Sequence, residues 1–380
     1  MPFNSTLYLV FLAGTVCLYW VIPERHRVFA LIAFGGLFYA YAGLPYLLLL
    51  GGLGGASYSV GLLIERDRER WKLLFGVCLL ALVLTFFKYA GAVTELLHAG
   101  GWDLMLPLGI SFYTFELIHY LVEIYRGNIR NPKPDDFLAF LLFFPTRVSG
   151  PIRRFPAFTS QLKDIRFKPE YLLYGVTLLV LGYAQKIIIA DPLVPFTQGL
   201  QDPTVLSALE VLARLYAYSI RIYADFGGLT NIAMGSALLF GVLVPRNFNY
   251  PYLRPNISLF WRSWHMSLSN WVRDYLYIPL GGNRHGEWRT ALHLLIAMFV
   301  IGIWHGSSLN FAVWGLWHGV GLMVNRWWRL TIGRSMPSNW FMYVLGVIIT
   351  FHFVTIGWAL FVTDSLGDSL IIFYKILPYV

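Results

Sequence analysis

The chain has 380 residues, of which 57% are hydrophobic, 17% aromatic and only 13% charged. Soluble domains carry about 25% charged residues, so this composition, with a mean hydropathy of +0.59, excludes an ordinary soluble enzyme and points to a polytopic membrane protein. The formal charge of +9 reads as basic loops on one side of a membrane rather than as a nucleic-acid surface.

At roughly 20 apolar residues per crossing, the chain supplies about ten to twelve full or partial spans. Neither a linker nor an internal repeat divides it. We expect one integral membrane domain over 1–380, with a catalytic core at about 100–325. The first apolar run covers 5–22. It lacks a basic n-region and a small-residue cleavage site, so it reads as a span and not as a removed signal. Runs at 28–42 and 46–64 follow; in the latter, Gly51, Gly52, Gly54 and Gly55 suit close helix contact. Further runs cover 73–90 and about 104–125. Cys17 and Cys78 fall inside apolar runs and read as small core residues, with no disulfide framework. Lys and Arg are absent from 1–24, 28–65 and 89–125. The basic loops therefore follow runs one, three and five, which predicts an outside N-terminus and cytoplasmic loops.

Residues 136–150 are too short to cross twice and end in Ser149-Gly150-Pro151-Ile152, which predicts a re-entrant or interfacial segment. Residues 153–168 are basic and partly apolar, and read as a cytoplasmic interfacial helix. The run 171–190 returns outward, and 191–213 reads as external. Residues 207–224 come back, and an apolar stretch follows Asp225-Phe226-Gly227-Gly228 to Val244. Two runs, 291–304 and 309–325, flank His305. A late span covers 340–362, and an apolar tail 366–380.

Each histidine needs its own reading. His26, His98 and His285 lie in polar loops. His119, His293 and His352 stand alone in apolar runs and read as core histidines bonded to a neighbour. His318, in Trp317-His318-Gly319, is a weaker functional candidate. His265 and His305 differ, each standing beside a tryptophan. His305 is followed by Gly306 and then by Ser307, Ser308 and Asn310, a polar break between two apolar helices. An imidazole there can take a proton from a hydroxyl and return it. His265 has Arg262 one turn before and Ser269 one turn after, so the three are expected on one helix face. No phosphate loop, HExxH or Cys/His metal spacing occurs, nor a Gly-x-Ser-x-Gly elbow. Asp225 and Asp274 form no recognisable carboxylate pair.

Several longer stretches are more specific. They are Leu106-Pro107-Leu108-Gly109-Ile110-Ser111-Phe112-Tyr113, Ser149-Gly150-Pro151-Ile152, Gln185-Lys186-Ile187-Ile188-Ile189-Ala190-Asp191, Asn247-Phe248-Asn249-Tyr250-Pro251, Phe260-Trp261-Arg262-Ser263-Trp264-His265 and Ile303-Trp304-His305-Gly306. In this order, over about 60–360, the chain resembles the membrane-bound O-acyltransferases, and within them the bacterial alginate O-acetylase-like branch. The resemblance implies an all-α ring of tilted and re-entrant helices around a thinned centre, with a funnel on each side. It also implies acyl transfer from a thioester to a hydroxyl, most often acetyl transfer toward an exported polysaccharide. A D-alanyl transferase of teichoic acid or a non-enzymatic flippase are the competing readings.

His305 matches the near-invariant histidine of the family, and His265 the second one of this branch. Trp261, Arg262, Trp304, Ser269, Asn310 and Asp225 are the candidate substrate-binding residues. The expected co-substrate is acetyl coenzyme A or an acyl-phosphopantetheine carrier, with no tightly bound cofactor and no metal. The expected partners are an extracytoplasmic acyltransferase or esterase-like protein, the polysaccharide acceptor and membrane lipids. The expected location is the bacterial inner membrane. Two departures from the branch are Gly227-Gly228, where Ser-Gly is usual, and Asn231, where Asp is usual. The alginate acetylases are also longer at the C-terminus.

Overall fold

A computed structural model describes residues 1–96, 106–334, 337 and 339–379. His98 and the start of the run at 104 lie outside the described residues. Among those described, all regular structure is helical. The α-helices, in chain order, are α1 (Thr6–Val21), α2 (Arg27–Ala42), α3 (Leu44–Asp67), α4 (Arg70–Leu96), α5 (Ile110–Tyr125), α6 (Pro134–Leu142), α7 (Phe155–Leu162), α8 (Pro169–Tyr183), α9 (Val194–Gln198), α10 (Ala208–Leu239), α11 (Ile257–Trp261), α12 (Met266–Val272), α13 (Glu287–His305), α14 (Leu309–Leu330), α15 (Trp340–Gly357), α16 (Ala359–Val362) and α17 (Leu366–Ile376). Among the described residues five segments are long and apolar enough to cross a membrane: Leu44–Asp67, Arg70–Thr94, Pro169–Gln201, Glu287–His305 and Trp340–Val362. The remaining helices are shorter or less apolar.

The described residues form two compact units. One comprises 1–184 and 228–245, the other 185–227 and 246–380. The chain passes between them at three points, two of them inside helical runs.

The first unit is built on α1–α8 and the end of α10. Its centre is aromatic: Tyr8, Phe38, Phe144 and Phe240 are each at most 1% exposed, and Phe144 stacks on Phe38 at 5.4 Å. A short helix α6 and the turn after it carry Leu141–Arg147 through this core, all buried. Broken backbone of this kind persists away from water only where protein encloses it. Arg147 explains how it is tolerated. Its guanidinium donates to the carbonyls of Phe140 and Leu141 and pairs with Glu116 of α5, while Arg153 Nε reaches the same carboxylate at 3.0 Å. His119, one turn along α5 from Glu116, accepts from the Phe155 amide at 2.8 Å.

The glycine pattern of α3 is narrower than the sequence suggested. A methyl group on Gly54 would come within 2.3 Å of Leu141, but nothing lies within 4 Å of one on Gly51, Gly52 or Gly55. The packed face runs through Leu50, Leu53, Gly54, Ser57 and Gly61, at helical spacing, and the other three glycines fall outside it. The two cysteines correct the sequence reading in the same way. Both Cys17 and Cys78 are exposed, on the outer faces of apolar helices that pack by another side.

In the second unit the chain leaves α8 through a widened π turn at Ala184–Ala190. A continuous α10 of 32 residues follows, and it runs through Gly227-Gly228 without a break. The hairpin of α13 and α14 packs almost backbone to backbone. A methyl group on Gly302 would come within 2.2 Å of the Phe311 carbonyl, and one on Gly315 within 2.4 Å of the Met298 carbonyl. Small residues permit such approach where lipid offers no hydrophobic drive between helices.

Candidate active site

The second unit gathers the two principal histidines, and each stands where a helix is interrupted. Asn256 caps α11 by accepting from Leu259 N at 2.9 Å, and the helix ends five residues later at Trp261. The chain then turns, and His265 adopts a left-handed conformation with φ 42° and ψ 53°. That conformation is strained for a residue with a side chain, and it clusters at functional sites. The loop before α11 holds it in place. Met266 N donates to the Asn247 carbonyl at 2.9 Å, Ser267 Oγ to Asn247 Oδ1 at 2.6 Å, and Asn249 N to the Ser263 carbonyl at 3.0 Å. Asn247 is fully buried. The stretch Asn247-Phe248-Asn249 is thus the clamp that sets His265, a role that spacing alone does not reveal.

This break overturns the expected shared face. Arg262 lies at the end of α11 and is exposed, and His265 is 3% exposed. Ser269 lies one turn into α12, where its Oγ donates to the Trp264 carbonyl at 3.2 Å.

His305 is the last residue of α13. Gly306 continues in an extended conformation, and Ser308 caps α14. The expected polar break between two apolar helices is present. A methyl group on Gly306 would come within 2.1 Å of the Phe311 ring, so only glycine lets the chain pass there. His305 is half-buried, and its ring is bounded by Trp304 (4.6 Å between centroids), Phe361 (5.0 Å), Trp314 (5.2 Å) and Phe311 (6.3 Å).

Trp304 joins the two histidines. Its indole lies 4.6 Å from His305 and 6.2 Å from His265, measured between ring centroids. Two residues 40 positions apart in sequence therefore lean on the same indole. On its far side His265 packs against Phe226 at 4.7 Å. Phe226 follows Asp225, whose carboxylate pairs with Lys186 at 3.0 Å; Lys186 also binds Asp191 at 2.5 Å.

The remaining candidates lie further out. Trp261 is buried against Trp314 (5.8 Å) and His318 (5.1 Å). Asn310 is 1% exposed, and its Nδ2 donates to the Thr363 carbonyl at 2.9 Å, Thr363 Oγ1 at 3.1 Å and Ser369 Oγ at 3.3 Å. These bonds tie the start of α14 to the turn just after Phe361. The lone histidines behave as expected in their bonding: His293 Nδ1 lies 2.8 Å from the Gly282 carbonyl, and His352 Nδ1 2.8 Å from that of Ile348, although His352 is only half-buried. Among the described residues no group of three or more His, Cys, Asp and Glu is arranged to hold a metal ion. Phe226, Trp314 and Phe361 escaped the sequence reading, because apolar rings in apolar runs carry no local signal.

His305 is an imidazole at a helix end, half-buried and flanked by aromatic rings. Such a site suits proton transfer to or from a neutral hydroxyl. The comparisons agree in kind. The model of MBOAT, the membrane-bound O-acyltransferase family, matches residues 71–363. The chain is 36% identical to the probable alginate O-acetylase of Pseudomonas aeruginosa, over 96% of its own length and 73% of that protein's. It is 32% identical to the peptidoglycan O-acetyltransferase of Helicobacter pylori, over 88% of its length and 70% of that protein's. With the teichoic acid D-alanyltransferase of Bacillus subtilis it shares 33% identity, over 70% of each chain.

Proposed function

This chain belongs to the membrane-bound O-acyltransferase family, and from that premise we propose that it carries an acetyl group from a cytoplasmic thioester, across the bacterial inner membrane, toward hydroxyls of an exported or cell-envelope polysaccharide. It is a multi-pass membrane acyltransferase, which sets aside the reading as a transporter without chemistry. The finer reading rests on one observation: His305 stands half-open at a helix break, on an indole that His265 also touches.

His305 removes the proton from the acceptor hydroxyl. The oxygen attacks the thioester carbonyl, the carbon–sulfur bond breaks, and the sulfur leaves with the proton returned by the imidazolium. His265 orients the donor or steadies the charge on the carbonyl oxygen. The donor, acetyl coenzyme A or an acyl-phosphopantetheine carrier, enters from the side of the basic segments 126–133 and 153–168, which suit its phosphates. A thioester is already activated, so the proposal calls for no metal. The N-terminus lies outside, and an extracytoplasmic acyltransferase or esterase-like partner completes transfer to the polymer. The teichoic acid D-alanyltransferase relative favours a second reading, in which D-alanine replaces acetate.

The test is alkali-labile acyl groups on the envelope and exported polysaccharide. Cells with the wild-type chain, His305→Ala and an empty vector are compared at matched membrane levels. Ester formed only by wild type supports transfer, and the released acid names the group. Equal ester from wild type and His305→Ala sinks the assignment of the base.

A further inference from the structure

Trp314 and His318 lie one turn apart on the same face of α14, and neither exposes more than 1% of its surface. Trp314 is the wall beside His305, nearly perpendicular to it at 5.2 Å. His318 stands against that wall at 4.8 Å. The His318 ring is enclosed by Trp261 at 5.1 Å, Phe353 at 5.7 Å and Phe260, parallel, at 6.3 Å. A methyl group on Gly357 would come within 3.4 Å of its Nε2.

Neither ring nitrogen of His318 has a hydrogen-bond partner, and neither does Nε1 of Trp314. As a space-filler the imidazole is a poor choice. It gives up hydration and receives no bond in return, where a leucine or phenylalanine would lose nothing. Yet the two unpaired groups are complementary. An indole Nε1–H is a donor only, and a neutral imidazole carries one acceptor nitrogen. They belong to rings already in contact.

We infer that His318 is a positioning residue for the reaction: it holds the Trp314 indole, and through it the His305 imidazole, in the orientation that proton transfer requires. In this reading His318 accepts from the Trp314 Nε1–H rather than from the equally unpaired Nε1–H of Trp261, and that bond pins the indole against which His305 stands. The inference rests on the acyl-transfer reading with His305 as base.

The test uses the full chain in inverted membrane vesicles with radiolabelled acetyl coenzyme A as the probe donor. The same variants are scored in cells by alkali-labile ester, so the result does not hang on that donor. His318→Phe keeps a ring of similar size without nitrogens. It should reach wild-type membrane levels and detergent melting temperature, with the maximum rate lowered about 10- to 100-fold and the apparent KM changed by less than about two-fold. His318→Gln, which restores an acceptor oxygen, should recover much of the rate. Trp314→Phe should lose a similar factor, and the double variant little more than either single one. A His318→Phe protein at wild-type rate overturns the inference. So does His318→Gln no better than His318→Phe, or a loss that tracks the amount of folded protein. If wild type itself forms no ester in vesicles or cells, the acyl-transfer reading has failed and the inference goes with it.

Discussion

Both units bury polar side chains among aromatic rings, and they do so differently. In the first, Glu116 lies between Arg147 and Arg153, and the Arg147 guanidinium also ties down the carbonyls of a broken helix end. The buried His119 is bonded to a backbone amide. In the second, His305 is bounded by indole and phenyl faces, and neither ring nitrogen of His318 has a hydrogen-bond partner. A buried charge survives only when paired, so the first arrangement serves architecture. In the second, His265 and His318 each pack on an indole that also touches His305, so their rings belong to the surround of the proposed base.

Substitution should separate the two regions by what is lost. The largest effect belongs to His305→Ala. Turnover in the ester assay should fall about 10²- to 10⁴-fold, the range of a general base, while membrane level and melting temperature hold. Glu116→Gln should do the reverse. With the anion between two guanidiniums removed, the folded state loses on the order of 3–5 kcal/mol. The loss shows as a lower melting temperature in detergent and less protein in the membrane, with the rate per folded molecule unchanged. A Glu116→Gln protein that is stable but inactive would mean that the ion cluster takes part in the chemistry.

Gly54→Ala should cost about 1–3 kcal/mol by crowding Leu141, seen as a drop in melting temperature alone. Gly306→Ala presses on Phe311 beside His305, so it should lower turnover as well as stability. The smallest effect is that of Gly55→Ala, within about 0.5 kcal/mol of wild type, since nothing lies near its face. A loss there equal to that of Gly54→Ala would show that the packed face of α3 is wrongly drawn.

Much of this was legible in the sequence. Hydropathy marked the long spans, and the polar residues after His305 marked the break between α13 and α14. Five-residue α11 and the turn at His265 were not legible. Their cause is the clamp by Asn247 and Asn249, a contact from outside the segment that overrides helical spacing. Gly227-Gly228 invited a break that α10 does not take. The long-range link through Trp304 lay beyond any pattern, because its two histidines are 40 residues apart. The same holds for the faces of Gly51 and Cys17: composition tells that a helix is apolar, not which side its neighbours choose.

The α13–α14 hairpin also bears on the order in which the site is assembled. Its closest contacts join neighbours in sequence, so their loop-closure cost is small and they form early. Membrane helices associate after insertion. Once α14 has left the ribosome and entered the membrane, Trp304, His305 and Trp314 take their mutual places without the rest of the chain. Trp358 and Phe361, which pack against Trp314 at 5.8 and 5.3 Å, come later in synthesis. The surround of His305 is therefore completed last, from its C-terminal side. A chain halted before Trp358 should hold a formed hairpin with its histidine unshielded, a trapped intermediate that thiol labelling of a cysteine placed at Phe311 would detect.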